Sequence, residues 1–262
     1  MMQNFIKATA AMTLSELRHS ITGKKMSAAI VLAGFPPAIM FILLRTADEF
    51  MVRSPELILS VLLWMIGLLS LLLWLPANIA TELEGQTWIF ATSRPYGRAI
   101  LLLGKYFSAV IWTLLIEAAA FTGAVLACWQ SINLSVHAPG LIPIIILAAF
   151  AYGAVFSLLG VLALKKAMGF AVGYCLVSEI LIAMVPALVQ KFTVRSHLQA
   201  LGFHWVSDFE ALKLDDLSRL FQTPDPLPIW GNVAALITMS VTLLGLAIAI
   251  ANYRQYLTQA EA

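Results

Sequence analysis

Six long apolar blocks set the hydropathy pattern of this chain: 26–44, 57–80, 106–128, 141–164, 167–189 and 229–251. Each is about the 20 residues an α-helix needs to cross the ~30 Å hydrocarbon of a bilayer. The pattern predicts an all-α integral membrane protein, with one transmembrane domain over 1–262 and six transmembrane helices. Pro36 and Pro37 sit in the middle of the first block. Backbone carbonyls freed by proline need partners inside hydrocarbon, so a kink packed against neighbouring helices is expected there.

The polar interruptions carry as much information as the blocks. Residues 1–25 interleave Phe5, Ile6, Met12, Leu14, Leu17 and Ile21 with Lys7, Glu16, Arg18, Lys24 and Lys25. There is no short basic start followed by an apolar run and a small-residue cleavage site, so this is not a secretory signal. It reads as an amphipathic helix in the headgroup region, or else as a basic flank that only sets orientation.

Between the second and third blocks lies TELEGQTWIFATSRPYGRAILLLGK, residues 81–105. Thr81 stands three residues before Glu84, the spacing of a capping box that would start a helix. Trp88, Ile89 and Phe90 form a bulky apolar patch suited to a membrane surface or a partner's groove. Pro95 disfavours helical geometry in the residue before it and ends the element. A short helix over 81–98 is predicted. Residues 190–228 are the longest polar stretch, with Ser207 and Glu210 again at capping-box spacing, and one or two short helices resting on the outer membrane face are expected.

Composition narrows the class. Hydrophobic residues make up 61% of the chain and charged residues 11%, against about 25% charged in a soluble domain. Mean hydropathy is +0.89. The net charge of +2 is too small to suggest a nucleic-acid partner. Cys128 and Cys175 both lie in apolar runs and give no disulfide framework.

Lys and Arg counts predict which side the loops occupy. Six crossings put both termini on one side, where the connecting segments hold ten Lys and Arg residues against six in the opposite loops. Acids run the other way, four against eight. Both termini and the 81–105 loop are therefore expected in the cytoplasm.

The 81–105 stretch resembles the cytoplasmic loop of membrane subunits of type-2 ATP-binding-cassette (ABC) transporters. That loop runs acid, spacer, acid, small residue, Gly-Thr, apolar run, Pro, two residues, Arg, apolar run, Gly-Lys. Glu82, Glu84, Thr87, Pro95, Arg98, Gly104 and Lys105 fall on it without a gap. The family's glycine before the threonine is Gln86 here, with Gly85 one place early. The segment SELRHSITGKK similarly resembles the family's N-terminal elbow helix.

The resemblance implies a permease subunit of an ATP-driven exporter in a plasma membrane, a bacterial inner membrane first among them. It implies a homo- or heterodimer of permeases in membrane lipid, two ATP-binding subunits, and a coupling helix over 81–98. Trp88 and Phe90 would anchor that helix in a cleft of the ATPase, since aromatic residues dominate binding hot spots. Glu82, Glu84, Arg94 and Arg98 would set its register. The 190–228 loop would form a small external cap.

No phosphate-binding G-x-x-x-x-G-K-[ST] loop is present: the nearest string, Gly97 to Tyr106, has the wrong spacing and ends in Tyr. ATP and Mg would be bound by the partner, and this chain is not expected to be an enzyme. Glu117 and Glu179 lie inside apolar blocks. A carboxylate at the bilayer centre costs ~2.5–3.5 kcal/mol on insertion scales, and such residues usually face an interior. Each either lines a pathway or, as a neutral acid bonded to a hydroxyl or carbonyl, holds helices together.

These two acids also carry an alternative class, a proton-coupled secondary transporter, although no internal repeat supports it. His197, His204 and Asp208 could share a helical face, but no fourth ligand is evident, and a solvated loop is the expectation rather than a metal site. No catalytic signature for a membrane-embedded enzyme appears, and the transported substrate is not encoded legibly.

Overall fold

A computed structural model of the chain describes residues 2–46, 55–84, 96–127, 132–163, 166–181, 193–205 and 228–253. Among the described residues all secondary structure is helical. In order, the helices are α1 (Met2–Ser20), α2 (Gly23–Thr46), α3 (Pro55–Glu84), α4 (Gly97–Ala127), α5 (Ile132–Leu162), α6 (Ala167–Cys175), α7 (Val194–Trp205) and α8 (Ile229–Tyr253). A π-helical stretch, Leu176–Leu181, continues α6.

Five of these helices are long and apolar enough to cross a membrane: Lys25–Leu43, Leu62–Glu82, Gly97–Ala127, Gly140–Leu162 and Ile229–Tyr253. At 1.5 Å per residue, the 31 residues of α4 extend about 46 Å. That exceeds the ~30 Å hydrocarbon core, so such a helix projects beyond it or tilts. The expected block 167–189 is described only as far as Leu181.

α3, α4 and α5 form the centre. Leu71, Leu75 and Ile79 of α3 pack with Leu102 of α4 and with Tyr152 and Phe156 of α5. Buried polar groups on these helices find partners across the bundle. The Tyr106 hydroxyl donates to Phe150 O at 3.0 Å, and Trp64 Nε1 donates to the Tyr152 hydroxyl at 3.1 Å. Ser70 and Thr113 hydroxyls lie 3.0 Å apart. Without water, each unpaired group would cost several kcal/mol, so the pairings fix which faces meet.

α2 and α8 are outer helices. Only 17% and 11% of their apolar windows are buried, against 61% for α3, α4 and α5. Ile30, Val31 and Phe35 on α2, and Trp230, Ile237 and Val241 on α8, are exposed. An apolar surface of this extent suits lipid or a partner and not water. The fold is compatible with a membrane-embedded protein. Pro36 and Pro37 are accommodated inside α2. Gly123 of α4 lies against the Pro37 ring, where a Cβ would come within 3.1 Å of Cγ.

Three sequence expectations can be set against the helices. First, no helix starts at Thr81. α3 runs through it to Glu84, and the Thr81 hydroxyl donates back to Asn78 O at 3.2 Å. An apolar helix already under way satisfies the amide donors that a capping box would serve. Likewise α4 begins at Gly97 rather than at Tyr106.

Second, the helix expected within 1–25 is present as α1. Phe5 meets Tyr96, Met12 meets Gly104, Glu16 meets Lys105, and Ser20 accepts from Trp112 Nε1. Partner numbers advance in step, so α1 runs alongside the first turns of α4. Small side chains make this possible. Thr9, Thr13 and Ser20 are buried, with their hydroxyls donating to Phe5 O, Thr9 O and Leu17 O. The apolar Ile6, Leu14 and Ile21 face outward.

Third, the part of 190–228 that is described, α7, is packed into the bundle. Val194, Leu198 and Leu201 of α7 join the central core, where α7 packs against α5 and α8. Thr193 caps it, its Oγ1 accepting from Ser196 N at 3.3 Å. Ser207 and Glu210 lie outside the described residues.

Candidate functional site: a charged joint at the helix ends

Lys105 is the most deeply buried cation of the described residues, 4% exposed. It lies near the start of α4, where an isolated ammonium would be costly. Two carboxylates offset that cost. Lys105 Nζ is 3.3 Å from Glu16 Oε1 of α1 and 3.3 Å from Glu82 Oε1 of α3. A second cation flanks the pair: Lys25 Nζ of α2 donates to Asn78 Oδ1 of α3 at 3.4 Å. Glu16, Lys25, Asn78, Glu82 and Lys105 thus bring four helices to one joint.

Arg98 extends the joint to the other end of the chain. Its Nη1 donates to Ala251 O at 3.1 Å and to Asn252 O at 2.6 Å. These are carbonyls of the last described turn of α8. Just before α4, Tyr96 holds the left-handed backbone conformation, φ 62°, which costs a non-glycine residue about 1–2 kcal/mol. Its ring meets Phe5 edge-on at 6.2 Å between centroids. The beginning of α1, the end of α3, the beginning of α4 and the end of α8 therefore lie together.

Of the residues singled out in the 81–105 loop, Glu82 and Lys105 are in contact, and Arg98 bonds the end of α8. Glu84 closes α3, with its side chain outside the described residues. Gly85, Thr87, Trp88, Phe90, Arg94 and Pro95 also lie outside them. Gly104 is the point of closest approach of α1, where a Cβ would come within 2.9 Å of Met12 Cβ.

Glu117 occupies a separate place on α4. It is 1% exposed, and its carboxyl lies against Gly67 of α3, where any Cβ would overlap Oε1. Oε2 has no hydrogen-bond partner among the described residues. The Ser70–Thr113 bond lies one helical turn away on the same two helices. Glu179 falls in the π-helical stretch, with its side chain outside the described residues.

His197 is not solvated. It is 6% exposed, and its Nδ1 lies 2.8 Å from Asn232 Oδ1 of α8. The His204 side chain and Asp208 lie outside the described residues. Among the described residues no three His, Cys, Asp or Glu side chains cluster as metal ligands would.

Sequence reasoning missed Glu16, Lys25 and Asn78 as members of the joint. One signal was available for Glu16: it is the sole acid in the first 47 residues, on a helix otherwise basic. Nothing in the sequence marks Asn78. No protein-family model matches this chain, and no curated protein matches it.

Proposed function

We propose that this chain is the permease subunit of an ATP-driven exporter of the type-2 ABC kind. In this reading it pairs with a second permease copy and is worked by two separate ATPase chains that bind ATP and Mg. The observation that carries the reading is the joint. Glu82, Arg98 and Lys105 are three charged positions of the family-like loop: Glu82 and Lys105 join its two flanking helices, Lys105 also holds Glu16 of α1, and Arg98 holds the described end of α8. A push on the 85–95 segment reaches α3 and α4 directly, α1 through Glu16, and α8 through Arg98. That is the connection a coupling loop needs to turn movement of an engine into tilting of helices.

Contacts between ends also support six crossings. The start of α1 and the end of α8 meet the start of α4, and ends on one side require an even number of passes. Five described helices are long enough, and the 164–193 region would supply the sixth. The Lys and Arg excess places this end in the cytoplasm of the reading, with a bacterial inner membrane as its setting.

The test is co-purification of the chain with its ATPase in gentle detergent, followed by ATP turnover after reconstitution. Trp88→Ala and Glu84→Lys are expected to lose the ATPase or to uncouple its turnover. Normal association and coupling in both variants would refute the reading. A second reading, a proton-coupled transporter, is favoured by the buried Glu117 alone. Transport stopped by an uncoupler but unaffected by ATP depletion would select it.

A further inference from the structure

Beside the joint, α1 and α4 leave between them an apolar groove of about 580 Å³. Ile6, Ala10 and Leu14 form one wall; Leu103, Phe107 and Ile111 form the other. Among the described residues, the only hydroxyls lining it, those of Thr9 and Thr13, donate to the backbone of α1 itself. An occupant therefore finds no hydrogen-bonding group to meet. Sugars, nucleotides and extended peptides would each bury polar atoms without partners, at several kcal/mol apiece. A hydrocarbon chain has no such atoms.

The rim supplies the other half of the recognition. Lys7, Leu14 and Arg18 share one helical face by their spacing, and all three are exposed. Leu14 lines the groove, so the two cations stand on the helical face at its outer edge. Glu16, the acid of this helix, is turned away toward Lys105. The groove thus offers a dry slot edged with positive charge, complementary to an acyl chain under an anionic head group. We infer that the groove between α1 and α4 holds one acyl chain of an anionic phospholipid, with its phosphate on Lys7 or Arg18.

This inference rests on the membrane-embedded fold and not on the transporter reading. The full chain is reconstituted into phosphatidylcholine vesicles carrying traces of phosphatidylglycerol with a photoactivatable acyl chain. Adducts are mapped by peptide mass spectrometry. They are expected to concentrate on Leu103, Phe107 and Ile111, and Ala10→Trp, which fills the slot, is expected to reduce them at least tenfold. If Ala10→Trp fails to insert, Ile111→Trp on the opposite wall must give the same loss.

Lys7→Glu combined with Arg18→Glu should lower phosphatidylglycerol adducts several-fold while leaving those of a photoactivatable phosphatidylcholine unchanged. Three outcomes overturn the inference. Adducts could spread evenly over exposed residues of α2 and α8, or survive both tryptophan variants. Cross-links through the groove could instead join two copies of the chain, assigning it to a protein helix.

Discussion

Lys105 and Glu117 lie on the same helix and are both almost fully buried, 4% and 1% exposed, yet the protein treats them oppositely. Lys105 meets two carboxylates from two other helices. Glu117 meets the bare backbone of Gly67, with one oxygen lacking a partner among the described residues. The first arrangement is a mechanical joint, in which a desolvated charge repays its cost only in one geometry. The second spends specificity on shape: a glycine makes room for a carboxyl that meets no cation among the described residues. A buried group of the first kind fixes which helices meet. One of the second kind fixes how closely two helices approach.

The largest expected effect tests the joint. Lys105→Met leaves Glu16 and Glu82 facing each other without their cation and should destabilise the fold by roughly 3 kcal/mol, read as a lowered midpoint in detergent thermal unfolding. Adding Glu16→Gln and Glu82→Gln should restore most of the loss. A silent Lys105→Met would erase the contrast with Glu117.

Next in size is the shape side of the comparison. Gly67→Ala forces a Cβ into the Glu117 carboxyl and should cost about 1–3 kcal/mol. Glu117→Ala should relieve it, giving a coupling in the double-mutant cycle. Purely additive effects would mean the two residues do not touch.

A smaller effect is expected at the outer edge of the joint. Arg98→Ala removes both bonds to the end of α8 and should cost about 1 kcal/mol, with faster hydrogen exchange in the last turn of that helix. The smallest belongs to Glu117→Gln. It keeps the volume and removes no partner seen among the described residues, so stability should change by less than about 1 kcal/mol. A large loss there would reveal a partner for Oε2 and make Glu117 a second structural tie.

Much of the helical layout was legible in the residues. The blocks 26–44 and 229–251 fall almost on α2 and α8, because an outer apolar helix is marked by a long run without a charged residue. Boundaries near the joint were not legible. Thr81 and Glu84 have capping-box spacing, yet they lie within α3, since nothing local distinguishes a start from a continuation. The α1 face was read from its large apolar residues, which point outward; Thr9, Thr13 and Ser20 face α4. Close approach to Gly104 favours small side chains there, and hydroxyls can satisfy themselves on their own backbone.

By itself, then, the sequence determined the class of solvent this chain was built for, the number of apolar blocks, and the identity of the few charges placed among them. Those follow from composition and spacing, which act residue by residue. Tertiary structure alone decided which charges find each other. Glu16, Lys25, Asn78, Glu82 and Lys105 are scattered over α1 to α4, and only the packing of four helices brings their side chains within 3.4 Å. Burial then makes the meeting matter, because in a low dielectric a paired ammonium is tolerated and an unpaired one is not.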